Sequence, residues 1–176
     1  MKKALFVCLL VIFTSCGSYL SMNSFYNRHK NDPNVSAVRV PVFMFSFLQG
    51  LSPEMNGLLN NVNDLRYMQL RDISLIESER INAEMSQIIT DRFVEVYRKN
   101  DGLARTVYSV REKGDVIKEV IIYTNNGSRS TIVYLNGNFA PQTIRMMAKN
   151  DGFESLSSSL SRQYQPNGMS TPGITN

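Results

Sequence analysis

Tryptophan is absent from this 176-residue chain, histidine occurs once and cysteine twice. Those scarcities exclude much. A closed zinc site takes four nitrogen or sulfur ligands, and one histidine with two cysteines cannot provide them. The same count excludes a scaffold stapled by several disulfides. A Ser–His–Asp hydrolase would have to use His29 as its base, yet no G-x-S-x-G elbow accompanies it. His29 lies in a polar segment and is expected at the surface. The glycine-containing stretches "NGSRST" and "LNGN" match neither phosphate-binding fingerprint and read as turns. "NNVNDLRY" and "RKNDGL" lack the alternating acids of a calcium loop. No metal and no cofactor is therefore expected.

Long apolar runs are missing as well. The longest, residues 4–13, is too short to span a bilayer, which takes about 20 helical residues. It follows Lys2 and Lys3 and precedes the small residues Thr14 and Ser15, the layout of an export signal. The "FTSC" stretch resembles the lipobox of bacterial lipoproteins, with Phe13 where leucine is usual. On that reading residues 1–15 are a lipoprotein signal peptide, and Cys16 carries the lipid. The alternative is an ordinary signal peptide cut nearby, leaving Cys16 a free thiol. Loss of Lys2 and Lys3 lowers the formal charge from +4 to +2. The basic character thus belongs largely to the leader, and no nucleic-acid partner is expected. No acidic tract follows Cys16, which points to a domain facing the periplasm, anchored in the outer membrane.

Residues 16–24 read as a lipid-anchored tether. A short amphipathic segment, "SFYNRHKND", stops at Asp32-Pro33. "NVSAVRVPVFMF" alternates as a strand that ends, or lies at an edge, at Pro41. Ser52-Pro53-Glu54 starts a helix with Met55, Leu58, Leu59 and Val62 on one face. "DLRYMQL" is a second strand. Ser74 and Glu77 have capping-box spacing ahead of a long helix. That helix is expected to bury Ile81, Met85, Ile88, Ile89, Phe93 and Val96, to pair Glu95 with Lys99 and to end at Asn100-Asp101-Gly102. "LARTVYSV", "DVIKEVIIYT" and "RSTIVYLNG" form a meander, with Asn126-Gly127 as a two-residue hairpin. In the middle strand Val116, Val120 and Ile122 are expected on one face, and Ile117, Ile121 and Tyr123 on the other. A last helix opens near Asn138 and Pro141, with Ile144, Met147 and Ala148 inward. The fold class is α+β: a single domain over residues 25–152. Its mixed, largely antiparallel sheet carries a C-terminal three-stranded meander, packed against one long and two shorter helices. Residues 153–176, rich in Ser, Pro, Gly and Asn, read as a disordered tail.

Few residues are candidates for chemistry. Asp64, Asp72, Glu77 and Glu79 could work as paired carboxylates, although Glu77 and Glu79 equally complement the dipole of the long helix. Arg66, Arg71, Arg92, Arg98, Arg105 and Arg111, interleaved with acids, read as a solvated surface. The methionines, including Met146 and Met147, read as core filling.

The lipobox, "FYNRH", "DPNVSAVRV", "DLRYMQL", "DRFVEVYRKND", the hairpin "DVIKEVIIYTNNGSRSTIVYLNGNF" and a short final helix occur in that order. This succession resembles the domain-of-unknown-function 4252 (DUF4252) family of lipoproteins from Bacteroidota, over roughly residues 22–150. Its most specific part is the "IVYLNGNF" exit with Gly137. The resemblance implies an anchored α+β domain and an envelope-stress or signalling context, and it carries over no catalytic or ligand residue. The function expected is a non-enzymatic binding module. It would be held on the membrane by Cys16 and meet an envelope protein there. The alternative is a carboxylate-dependent hydrolase of cell-wall or other glycans.

Overall fold

The computed structural model describes residues 20–50 and 52–164. The expected signal peptide, Cys16 and residues 165–176 of the expected tail lie outside the described residues.

Tight turns set the register of the sheet. Gly114, at φ +63°, turns the chain in two residues between β4 (Ala104–Lys113) and β5 (Val116–Asn125). Asn125 and Ser130 close the next hairpin, between β5 and β6 (Ser130–Phe139). Its loop has four residues rather than the expected two. The Asn126 side-chain oxygen accepts from the Arg129 N–H at 2.8 Å, and only Gly127 takes a positive φ there. With β1 (Val35–Arg39), β2 (Val62–Leu70) and β3 (Val94–Asp101), the strands form one six-stranded sheet in the order β1-β2-β6-β5-β4-β3. Every neighbouring pair is antiparallel. β1 is an edge strand that stops just before Pro41, as its sequence predicts, and β5 is central.

Helices cover both faces. On one lie α1 (Met22–His29), capped by a reciprocal pair of hydrogen bonds between Ser21 and Ser24, and α4 (Leu75–Arg92). Ile81, Met85, Ile88 and Ile89 of α4 pack against Met68, Ile121, Tyr123 and Ile132 of the sheet. On the other face lie α2 (Phe45–Gln49), α3 (Pro53–Leu59), α5 (Pro141–Lys149) and α6 (Gly152–Gln163). The caps are those the sequence predicts at Ser52 and Ser74, whose hydroxyls accept from Met55 and Glu77 N–H at 3.1 and 3.2 Å. The α+β class and the single domain agree with the sequence reading.

Other expectations are corrected as well. The long helix ends at Arg92, and residues 94–101 are strand β3, so the meander has four strands. Phe93 and Val96 fit a helical stripe, but Val94 and Val96 also fit a strand, and pairing of Val94 with Val110 decides between them. Glu95 therefore meets Arg98 rather than Lys99, and Gly102, at φ +58°, turns a hairpin instead of capping a helix. Ile117 joins Val120 and Ile122 on one face, because a β-bulge between Ile117 and Glu119 shifts the alternation by one residue. Residues 22–24, expected in the tether, open α1 instead, and Met22 is already buried there. Finally, residues 152–163 are helical: Phe153, Leu156 and Leu160 of α6 are fully buried, an apolar stripe that the surrounding serines disguise.

Gly137 sits where the turn from α3 into β2 crosses β6. A methyl group there would overlap the Asn61 carbonyl and come within 2.7 Å of the Phe139 ring. Gly137→Ala is expected to cost about 1–3 kcal/mol in urea denaturation, because the obstructing group is backbone. Leu160→Ala is expected to cost about 2–5 kcal/mol by the same measurement, as for other fully buried leucines. An unordered tail would give no change.

Candidate functional site

Antiparallel register lines up side chains across strands, and the two-residue pleat keeps each line on one face. Lys99, Thr106, Thr124, Thr131 and Gln69 face one another in succession from β3 through β4, β5 and β6 to β2. They form a polar row straight across the sheet. One pleat further in, Tyr97, Tyr108, Ile122, Val133 and Tyr67 form an apolar and aromatic row on the same face. Helix α6 runs across this second row. Phe153 stands edge-on to Tyr108 at 5.1 Å, and Tyr164, just past the helix, lies 6.1 Å from Tyr67.

Since α6 uses its apolar side on the aromatic row, Ser157, Ser158 and Ser161 are left lining a cleft of about 520 Å³ with the polar row. Gln69 is the most enclosed polar group in it. Its side-chain nitrogen donates to Ser161 Oγ at 3.0 Å and Thr131 Oγ1 at 3.4 Å. Its oxygen is buried and takes no hydrogen bond among the described residues. An acceptor shut away from water in this manner is costly unless something donates to it. Lys99, Arg129 and Arg162 contribute positive charge to the walls, Asp151 and Glu154 negative charge. Tyr97 stacks on Tyr108 at 4.9 Å. Beyond that pair a second groove of about 360 Å³ continues beside α5, sharing Tyr97 and Ala148 with the first. Together these groups can hold a polar ligand through hydroxyl and amide contacts.

The residues singled out in the sequence lie elsewhere. His29 is 1% exposed rather than at the surface. It continues the buried stripe of α1 after Met22 and Phe25, with Asp32 at 2.8 Å from Nδ1 and Glu84 at 3.3 Å from Nε2. Its surroundings pin α1 to α4. Asp64 is bonded to Arg39 at 2.5 Å and to Arg66 at 2.8 Å, whereas Glu77 holds Arg80. Asp64 lies near the start of β2 and Asp72 past its end, roughly 25 Å along the chain at strand rise. Asp64 is thereby set apart from Asp72, and Glu77 and Glu79, two residues apart on α4, do not face each other. Among the described residues no group of three or more His, Cys, Asp or Glu could hold a metal ion. Arg66 and Arg111 pair with Asp64 and Glu119, in pairs that are partly buried rather than the solvated surface expected, while Arg98 pairs with Glu95 on the exposed β3.

Sequence reading missed the polar row and α6. The signal was present in "TNNGSRST": once Asn125 and Ser130 close the hairpin, Thr124 must face Thr131. Extending the row to Thr106 and Gln69 needs the strand order, which one sequence does not contain.

The architecture defines the class: an antiparallel sheet covered by helices on both faces, with a polar cleft beside its last described helix. The chain belongs to the family described as "Domain of unknown function (DUF4252)", whose model matches residues 26–147. That match spans the sheet and most of α5 and stops before α6. No curated protein and no solved structure matches the chain.

Burial, reinforced by the negative charges of Glu154 and Asp151, pushes the Tyr108 phenol up to about 12. An unfolded chain releases that proton near pH 10. Stability is therefore fully present below pH 10 and lost as pH rises from about 10 to about 12, by roughly 2–3 kcal/mol from this group. Tyr108→Phe is expected to flatten the fall in denaturation free energy between pH 10 and pH 12.

Proposed function

We propose that the chain is an envelope lipoprotein that acts as a non-enzymatic binding module. Cys16 is the lipid attachment point, and the outer membrane is the site of anchorage, with the domain facing the periplasm. The cleft between α6 and the Gln69–Lys99 row takes a polar component of the envelope, carried by a protein partner. The observation that carries this reading is the cleft itself, whose hydroxyl groups gather around Gln69, a residue whose buried oxygen takes no hydrogen bond among the described residues. Carboxylates spread along β2 and α4 offer no support for glycan hydrolysis. Among the described residues no helix is long and apolar enough to cross a membrane.

The test is crosslinking from the anchored protein in its native cells, followed by mass spectrometry. A discrete partner is expected, lost in Cys16→Ala and reduced several-fold by Ser158→Arg, which fills the cleft from an exposed helix position. Thr124→Val, which removes one hydroxyl at constant shape, is expected to weaken capture less. Absence of a specific adduct, or an adduct indifferent to Ser158→Arg, would contradict the reading.

A further inference from the structure

Residues 40–53, "VPVFMFSFLQGLSP", contain no Asp, Glu, Lys or Arg. The chain leaves the sheet here. Val40 still donates its N–H to the Leu65 carbonyl at 2.8 Å, and a 3₁₀ turn (Val42–Met44) then leads into α2. Phe45 and Leu48 point into the core, whereas Val42, Phe43 and Phe47 are 72%, 75% and 63% exposed. Phe43 and Phe47 flank the buried Phe45 on this exposed turn. Three large apolar side chains so close together and without a charge among them form an unusual soluble surface.

The described chain begins at the same end of the sheet, on the face opposite α2. Asn23, in the first turn of α1, accepts from Arg66 at 2.6 Å, and Arg66 faces Arg39 across the β1–β2 pair. Cys16 is seven residues before Asn23, hence at most about 25 Å away, and Phe43 is four residues past Arg39, within about 14 Å. A bilayer holding acyl chains on Cys16 is therefore in reach of the exposed rings.

We infer that Val42, Phe43 and Phe47 insert into the interfacial layer of the membrane that holds the lipid on Cys16, as a second, non-covalent contact. This inference rests on the lipid-anchor reading above. The occupant is lipid because the segment offers apolar and aromatic surface with no ion pair for a protein surface to answer, and because the anchor places lipid alongside it. Interfacial groups of this kind sink about 5–10 Å into the headgroup and acyl boundary. Contact at this end leaves the polar row, further along the strands at Gln69, open to the aqueous side.

The absence of tryptophan makes the test direct, since any one introduced is the sole reporter. Full-length lipidated protein carrying Phe43→Trp, Phe47→Trp or, at the exposed β3–β4 turn, Leu103→Trp is reconstituted into phosphatidylcholine vesicles with plain or brominated acyl chains. Flotation is read in the same samples. Indole emission from the Phe43→Trp and Phe47→Trp proteins is expected to shift to the blue. Bromine is expected to quench it several-fold more than the emission of the Leu103→Trp protein. Protein that floats with vesicles while the Phe43→Trp and Phe47→Trp reporters are quenched no more than the Leu103→Trp reporter overturns the membrane contact alone. A blue shift without bromine quenching also overturns it, since another protein surface or a second copy then covers the rings. Protein that fails to float overturns the anchor, and the contact with it.

Discussion

Ile121 and Ile122 are neighbours on β5, point to opposite faces of the sheet, and are both shut away from water. A strand buried on both sides cannot be satisfied by one layer of helices. β5 and β6 carry such pairs along most of their length, so apolar cover is required above and below. α1 and α4 provide it on one side. On the other, α2, α3 and α5 crowd toward the end of the sheet where β2 begins, and the remaining apolar row from Tyr67 to Tyr108 needs α6. Gly137 belongs to the same constraint, because the connection from α3 into β2 lies directly on β6 and leaves no room for a side chain.

The cleft follows from that packing. α6 has one apolar stripe, and the aromatic row claims it. Its serines are thereby directed at the next row outward, which the register fills with threonines and Gln69. The opposite face solves its polar end differently. There Asn125 bonds to Tyr123 and Asn82, Ser78 bonds to Asn125, and Gly127 N–H closes onto the Asn125 side chain at 2.8 Å. That network is filled from within the chain and locks α4 to the β5–β6 turn. The Gln69 oxygen is not. One end of the sheet thus has an extended polar network on one face and a cleft on the other.

Local chemistry is well written in the sequence. Ser52-Pro53, Ser74, Gly114 and the β2 run each specify their element through a cap, a turn conformation or an alternation that owes little to distant contacts. The sequence misleads where two periods fit the same residues, as at residues 93–97, and strand pairing makes the choice. It misleads also where composition hides a stripe, as in the serine-rich α6, and where a single bulge reverses the parity of Ile117. The burial of His29 is hidden by polar neighbours, which conceal an i, i+3, i+7 stripe with Met22 and Phe25. The candidate site is the least legible part, since its floor draws on five strands whose order only the fold supplies.

The cleft exists only if α6 is a wall of it rather than a loose extension of the chain. Hydrogen exchange followed by mass spectrometry on the full chain tests this most directly. Amides of residues 153–163 are predicted to exchange in the same slow class as those of β5 and β6. Free-chain exchange over α6, with the sheet still protected, would remove the wall and contradict the account.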